Sequence, residues 1–141
     1  AWSIVFNDTT TTEIYAHYLH DTLPILGNLS ALGYLDLGNK LESFSAWTSG
    51  YYLSTKNLWW TTSLASLKNL DLSGVDLGEA RDWLQALNKF RWLSSLTLES
   101  CGICSFPRIG HPNFTSLTTL DLQEVCLCNL CVTSYFKSLW F

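Results

Sequence analysis

Residues 67–77 read LKNLDLSGVDL, residues 93–103 read LSSLTLESCGI, and residues 117–127 read LTTLDLQEVCL. All three carry aliphatic residues at the same offsets: Leu67, Leu70, Leu72 and Leu77; Leu93, Leu96, Leu98 and Ile103; Leu117, Leu120, Leu122 and Leu127. A fourth copy, Leu32, Leu35, Leu37 and Leu41, keeps the first three anchors and brings in the last one residue early. Leu-x-Leu points two side chains to one face of a strand and the residue between them to the other. A frame that returns at such spacing predicts one strand per repeat, stacked beside the next.

Outward from these copies the chain divides into three parts. Residues 1–22 show no frame and form an unassigned segment, expected to leave the first strand's edge uncovered. Residues 23–127 hold about four repeats, and residues 128–141 form a tail in which the pattern is lost. Leu35 and Leu70 are 35 residues apart, whereas Leu70 to Leu96 is 26 and Leu96 to Leu120 is 24. The first interval therefore contains an irregular insert, residues 42–62, rich in aromatic residues. Two readings of Leu58, Trp59 and Trp60 stand: ordinary packing on the outer side, or an exposed aromatic loop of the kind that supplies binding energy. After Leu77 the period changes to helical, with Ala80, Trp83, Leu84, Leu87 and Phe90 on one face. Asp76 and Glu79 have the spacing of a capping box. The fold class expected is α/β, a leucine-rich-repeat solenoid with short parallel strands on the concave face and a helical or irregular convex side.

Composition excludes several classes. Of 141 residues, 48% are hydrophobic and 14% charged, with a net charge of −4. That is too apolar for a disordered chain and offers no basic footprint for nucleic acid. No apolar run approaches the roughly 18–20 residues that span a bilayer. The sequence contains no Met and no basic-apolar-small leader pattern, so a piece of a longer protein is expected. Five cysteines, an odd number, leave at least one thiol without a partner in the chain. Sequons at Asn7, Asn28 and Asn113 favour an extracellular setting, because the last two occupy the same place in their repeats.

No reaction chemistry emerges. Cys101-x-x-Cys104 and Cys128-x-x-Cys131 have zinc-ligand spacing, but Cys101 stands at a turn position that Val75 and Val125 fill elsewhere. Disulfides among Cys104, Cys126, Cys128 and Cys131, or inert thiols, are the alternatives, and no metal or cofactor is expected. His17, His20 and His111 have no nucleophile motif beside them. Asp36, Asp71 and Asp121 recur between strand leucines, where neighbouring carboxylates about 5 Å apart could mimic a glycosidase pair. Their place in the repeat already explains them, so the chain is read as non-enzymatic.

The stretches at residues 26–38 (LGNLSALGYLDLG), 67–107 and 113–122 (NFTSLTTLDL) resemble the extracellular leucine-rich-repeat regions of plant receptor-like proteins and receptor-like kinases of the disease-resistance type. The resemblance covers residues 23–127. It implies a plasma-membrane receptor ectodomain that binds a peptide, protein or glycan ligand in defence signalling, working with a partner membrane kinase or an attached one. A secreted inhibitor of microbial cell-wall hydrolases is the alternative; no nucleic acid partner is implied. This sequence contains no kinase motif and departs from the frame at residues 23–29 and 37–41. The binding surface expected is the exposed face of the strands: Tyr34, Asp36, Gly38, Asn69, Asp71, Ser73, Ser95, Thr97, Glu99, Thr119, Asp121 and Gln123. Four strands span only about 15 Å, so such a piece would act within a longer stack.

Overall fold

The computed structural model describes residues 5–6, 30–38, 53–103 and 105–123. Its centre is a sheet of five short strands in sequence order: β1 (Val5–Phe6), β2 (Tyr34–Asp36), β3 (Asn69–Asp71), β4 (Ser95–Thr97) and β5 (Thr119–Asp121). β2 to β5 are parallel, with Leu35, Leu70, Leu96 and Leu120 side by side. β1 pairs antiparallel with β2, Val5 opposite Asp36 and Phe6 opposite Leu35. This corrects the expectation of an uncovered first edge: the segment 1–22 supplies a strand there. Two residues carry no period, so their pairing left no trace in the sequence pattern.

Backbone bonds repeat as regularly as the leucines. The carbonyls of Gly33, Lys68 and Ser94 each accept two N–H groups from the following turn, those of Lys68 and Asn69, Ser94 and Ser95, and Thr118 and Thr119. Beyond the strands, Leu37 donates to Asp71, Leu72 to Thr97 and Leu98 to Asp121. The next turn needs a left-handed residue: Gly74 has φ 71° and Ser100, four residues after its own central leucine in the same way, has φ 54°. Only glycine adopts that conformation without a Cβ clash.

The leucines of each turn form one continuous core with the outer layer, in which Leu58, Leu64, Leu84 and Leu87 are fully buried. Burial fades at β5, where Leu120 and Leu122 are half-buried. All five residues of the helical face, Ala80, Trp83, Leu84, Leu87 and Phe90, are buried. Only Trp83–Leu87 (α1) is α-helical, however. The capping box does not form: the Asp76 carboxylate accepts the Gly78 N–H at 2.9 Å. Asp82, which stands before α1, turns both carboxylate oxygens to the Leu58 N–H at 3.0 and 3.2 Å. It therefore joins two turns rather than capping its own helix, and the helix stays short.

Of the insert, residues 53–62 are described. Trp59–Ser63 form a 3₁₀ helix against α1. Leu58 and Trp60 are buried there while Trp59 is half exposed, so the packing reading holds for two of the three residues. Trp83 anchors the outer layer further along, its indole N–H donating to the Ser105 carbonyl at 3.0 Å and its ring meeting Phe106 edge-on at 5.5 Å. Among the described residues no helix is long and apolar enough to cross a membrane. The tail 128–141 lies outside the described residues.

Candidate binding face

Each parallel strand, β2 to β5, presents two side chains on the face opposite its central leucine, and parallel pairing lines them up in rows. One row is Tyr34, Asn69, Ser95 and Thr119; the other is Asp36, Asp71, Thr97 and Asp121. The spacing between neighbours in a row is that of adjacent strands, about 4.8 Å. Gly38, Ser73, Glu99 and Gln123 follow two residues later in their turns. The structure thus brings together the residues that the Leu-x-Leu alternation assigns to one surface.

The aspartates of the second row have a structural task. The Oδ1 atoms of Asp36, Asp71 and Asp121 accept the N–H of Gly38 at 2.7 Å, Ser73 at 2.8 Å and Gln123 at 3.0 Å. Each carboxylate closes a small turn two residues on, as Asp side chains do in Asx turns. Thr97 makes no such bond, and among the described residues the Glu99 N–H has no acceptor. These bonds fix the carboxylates in orientation.

Gly38 has a further reason to be glycine. A Cβ there would lie 2.9 Å from Asp36 Oδ1 and 3.1 Å from Asp71 Oδ1, so any side chain would force two carboxylates apart. Tyr34 stands beside this pair, its hydroxyl 3.4 Å from Asp36 Oδ2. Burial first, then the negative charges of Asp36 and Asp71, hold its phenol above the ordinary value, so Tyr34 stays a neutral donor. The surface is therefore a set of fixed acceptors edged by hydroxyl donors.

One residue departs from the expected exposure. Ser73 is only 8% exposed, and its hydroxyl donates to Asp71 Oδ1 at 2.5 Å. It supports Asp71 and is not free to meet a ligand. Glu99 is half-buried and Gln123 exposed.

The remaining candidates separate cleanly. Cys101 is buried, its thiol 3.0 Å from the Leu72 carbonyl. Burial, and secondarily the charge of Asp71, push the thiol far above its ordinary value. Among the described residues no cluster of His, Cys, Asp and Glu could hold a metal. Cys104, Cys126, Cys128, Cys131, His17 and His20 lie outside the described residues, as do the sequon residues Asn7 and Asn28. Asn113 is half-buried with its N–H donated to Asn88 Oδ1, and Thr115 of its sequon is exposed.

Sequence reasoning overlooked Trp92, which at 62% is the more exposed of two exposed large hydrophobic residues among the described ones, Trp59 being the other at 50%. The signal was present: four residues before the central leucine the equivalent positions hold Ser66 and Ser116. No model of a known protein family, no curated protein and no solved structure matches this chain.

Proposed function

We propose that the chain is a leucine-rich-repeat solenoid segment whose exposed strand face recognises a peptide, protein or glycan ligand without chemistry. In this reading it belongs to the extracellular part of a plant receptor-like protein in defence, with glycans at Asn7, Asn28 and Asn113 and signalling through a partner kinase. Its repeats cover residues 23–127.

The observation that carries the proposal is the lateral register of Leu35, Leu70, Leu96 and Leu120, which leaves two continuous polar rows on the other side. A face with preset acceptors binds with little reordering, because its carboxylates are already held by their own backbone. The rows offer acceptors at Asp36, Asp71 and Asp121 and hydroxyls at Tyr34, Ser95, Thr97 and Thr119.

The test is a screen of the 141-residue chain against peptide and glycan arrays, repeated with Asn69→Arg and Thr97→Arg. The expected result is a set of hits lost in both variants, whose thermal unfolding stays cooperative. Hits that survive both substitutions, or the lack of any reproducible hit, would refute the face as a recognition surface.

A further inference from the structure

The described acidic residues are unevenly placed along the strand direction. Residues 59–70, 83–98 and 107–120, which lead along the outer layer into the strands, contain no Asp or Glu. They do contain Lys68, Lys89, Arg91 and Arg108, all exposed, and the first three lie near exposed Trp92 in the chain or in the adjacent turn. The acidic residues stand instead at the strand ends and in the loops that follow.

Backbone bonds bring this group together. The Lys68 carbonyl accepts the N–H of Ser94 at 2.7 Å, so Lys68 sits beside the turn that carries Trp92 two residues earlier. The Cα atoms of Lys68 and Trp92 then lie within about 12 Å, one strand spacing plus two residues of chain. Arg91 adjoins Trp92, and its carbonyl is fixed by the Ser116 hydroxyl at 2.8 Å. Lys89 follows α1 by two residues. Among the described residues none of these four side chains has a hydrogen bond, ion pair or ring contact of its own. The exposed indole thus stands with Lys89 and Arg91 close by in its own turn and Lys68 in the adjacent one, and among the described residues no contact of these side chains accounts for them.

From this we infer that the margin formed by Lys68, Lys89, Arg91 and Trp92 binds an anionic saccharide. The indole gives a flat platform for the apolar face of a sugar ring, and the cations pair with its carboxylate or sulfate groups. Charge complementarity selects the occupant: a neutral glycan would leave the three cations unused. The site is distinct from the strand face, so it stands or falls independently of the function proposed above.

Binding is measured by calorimetry on the whole chain at low and moderate salt. The probes are heparin-derived oligosaccharides (sulfate), alginate oligomers (carboxylate), neutral maltooligosaccharides and vesicles containing phosphatidylserine. The expected result is binding of one or both anionic saccharides and none of the neutral one. Trp92→Ala should weaken it roughly tenfold, as loss of an aromatic anchor does. Lys89→Gln with Arg91→Gln should weaken it and flatten its salt dependence. These side chains are exposed, so unchanged unfolding curves verify that the variants fold. Equal binding of the neutral sugar, binding insensitive to Trp92→Ala, or binding of the vesicles alone would each overturn the inference.

Discussion

Thr97 interrupts a row of aspartates, and replacing it sets two physical effects against each other. Thr97→Asp would give the third parallel turn the carboxylate that Asp36, Asp71 and Asp121 use to hold the N–H two residues on. The waiting donor is Glu99 N–H, and such a bond contributes about 1 kcal/mol. The new charge would also stand between Asp71 and Asp121, its register partners on either side. At a strand spacing of about 4.8 Å, each like-charge pair costs roughly 0.9 kcal/mol at the dielectric of water and roughly 3.5 at an effective value of 20. Two such pairs on a half-exposed face exceed the gain from one bond. Thr97→Asp should therefore lose between about 1 and about 6 kcal/mol, according to the effective dielectric, in low-salt urea unfolding at neutral pH. Thr97→Asn brings the same acceptor without the charge and should be neutral or gain about 1 kcal/mol. Salt at 1 M, where screening reaches about 3 Å, should close most of the gap between the two. A Thr97→Asp variant as stable as Thr97→Asn at low salt would refute the reasoning, because the row would then not hold its charges side by side.

Other outcomes follow from the same geometry. Leu96→Ala, at a position 3% exposed between Leu70 and Leu120, should cost about 2–5 kcal/mol by chemical denaturation. Ser100→Gly should raise stability by about 0.5–1 kcal/mol, since relief of the left-handed backbone outweighs the extra chain freedom of glycine; thermal unfolding checks it. Cys101 should resist alkylation in the folded protein at pH 8 and react in urea, as peptide mapping by mass spectrometry would read. Because its folded thiol is raised from an ordinary 9.0, the stability it contributes is full below that value. That contribution falls as the pH rises through and beyond it, so Cys101→Ala should flatten the alkaline loss.

The strands were legible because leucines at fixed offsets leave almost no freedom: a one-residue slip would turn every anchor outward. Leu70, Leu96 and Leu120 consequently stand in register, and the rows of Tyr34 and Asp36 follow from the alternation alone. Other features depend on partners distant in sequence. The pairing of Val5–Phe6 with β2 rests on a backbone edge and has no compositional mark. The helix after Leu77 was legible in its buried face but not in its length, because Asp82 serves Leu58 instead of its own N-terminus. Ser73 holds the same frame position as Glu99 and Gln123, yet its short hydroxyl folds back onto Asp71, a contact the alternation of leucines does not announce.

The bonds from Leu37 to Asp71, Leu72 to Thr97 and Leu98 to Asp121 tie each turn to its immediate neighbour and to nothing farther away. Mechanical load on such a molecule cannot be shared across the whole sheet. Tension applied at the β5 end would open the three parallel seams one after another, the way a zipper runs, and a force trace would show successive drops of similar height rather than a single rupture.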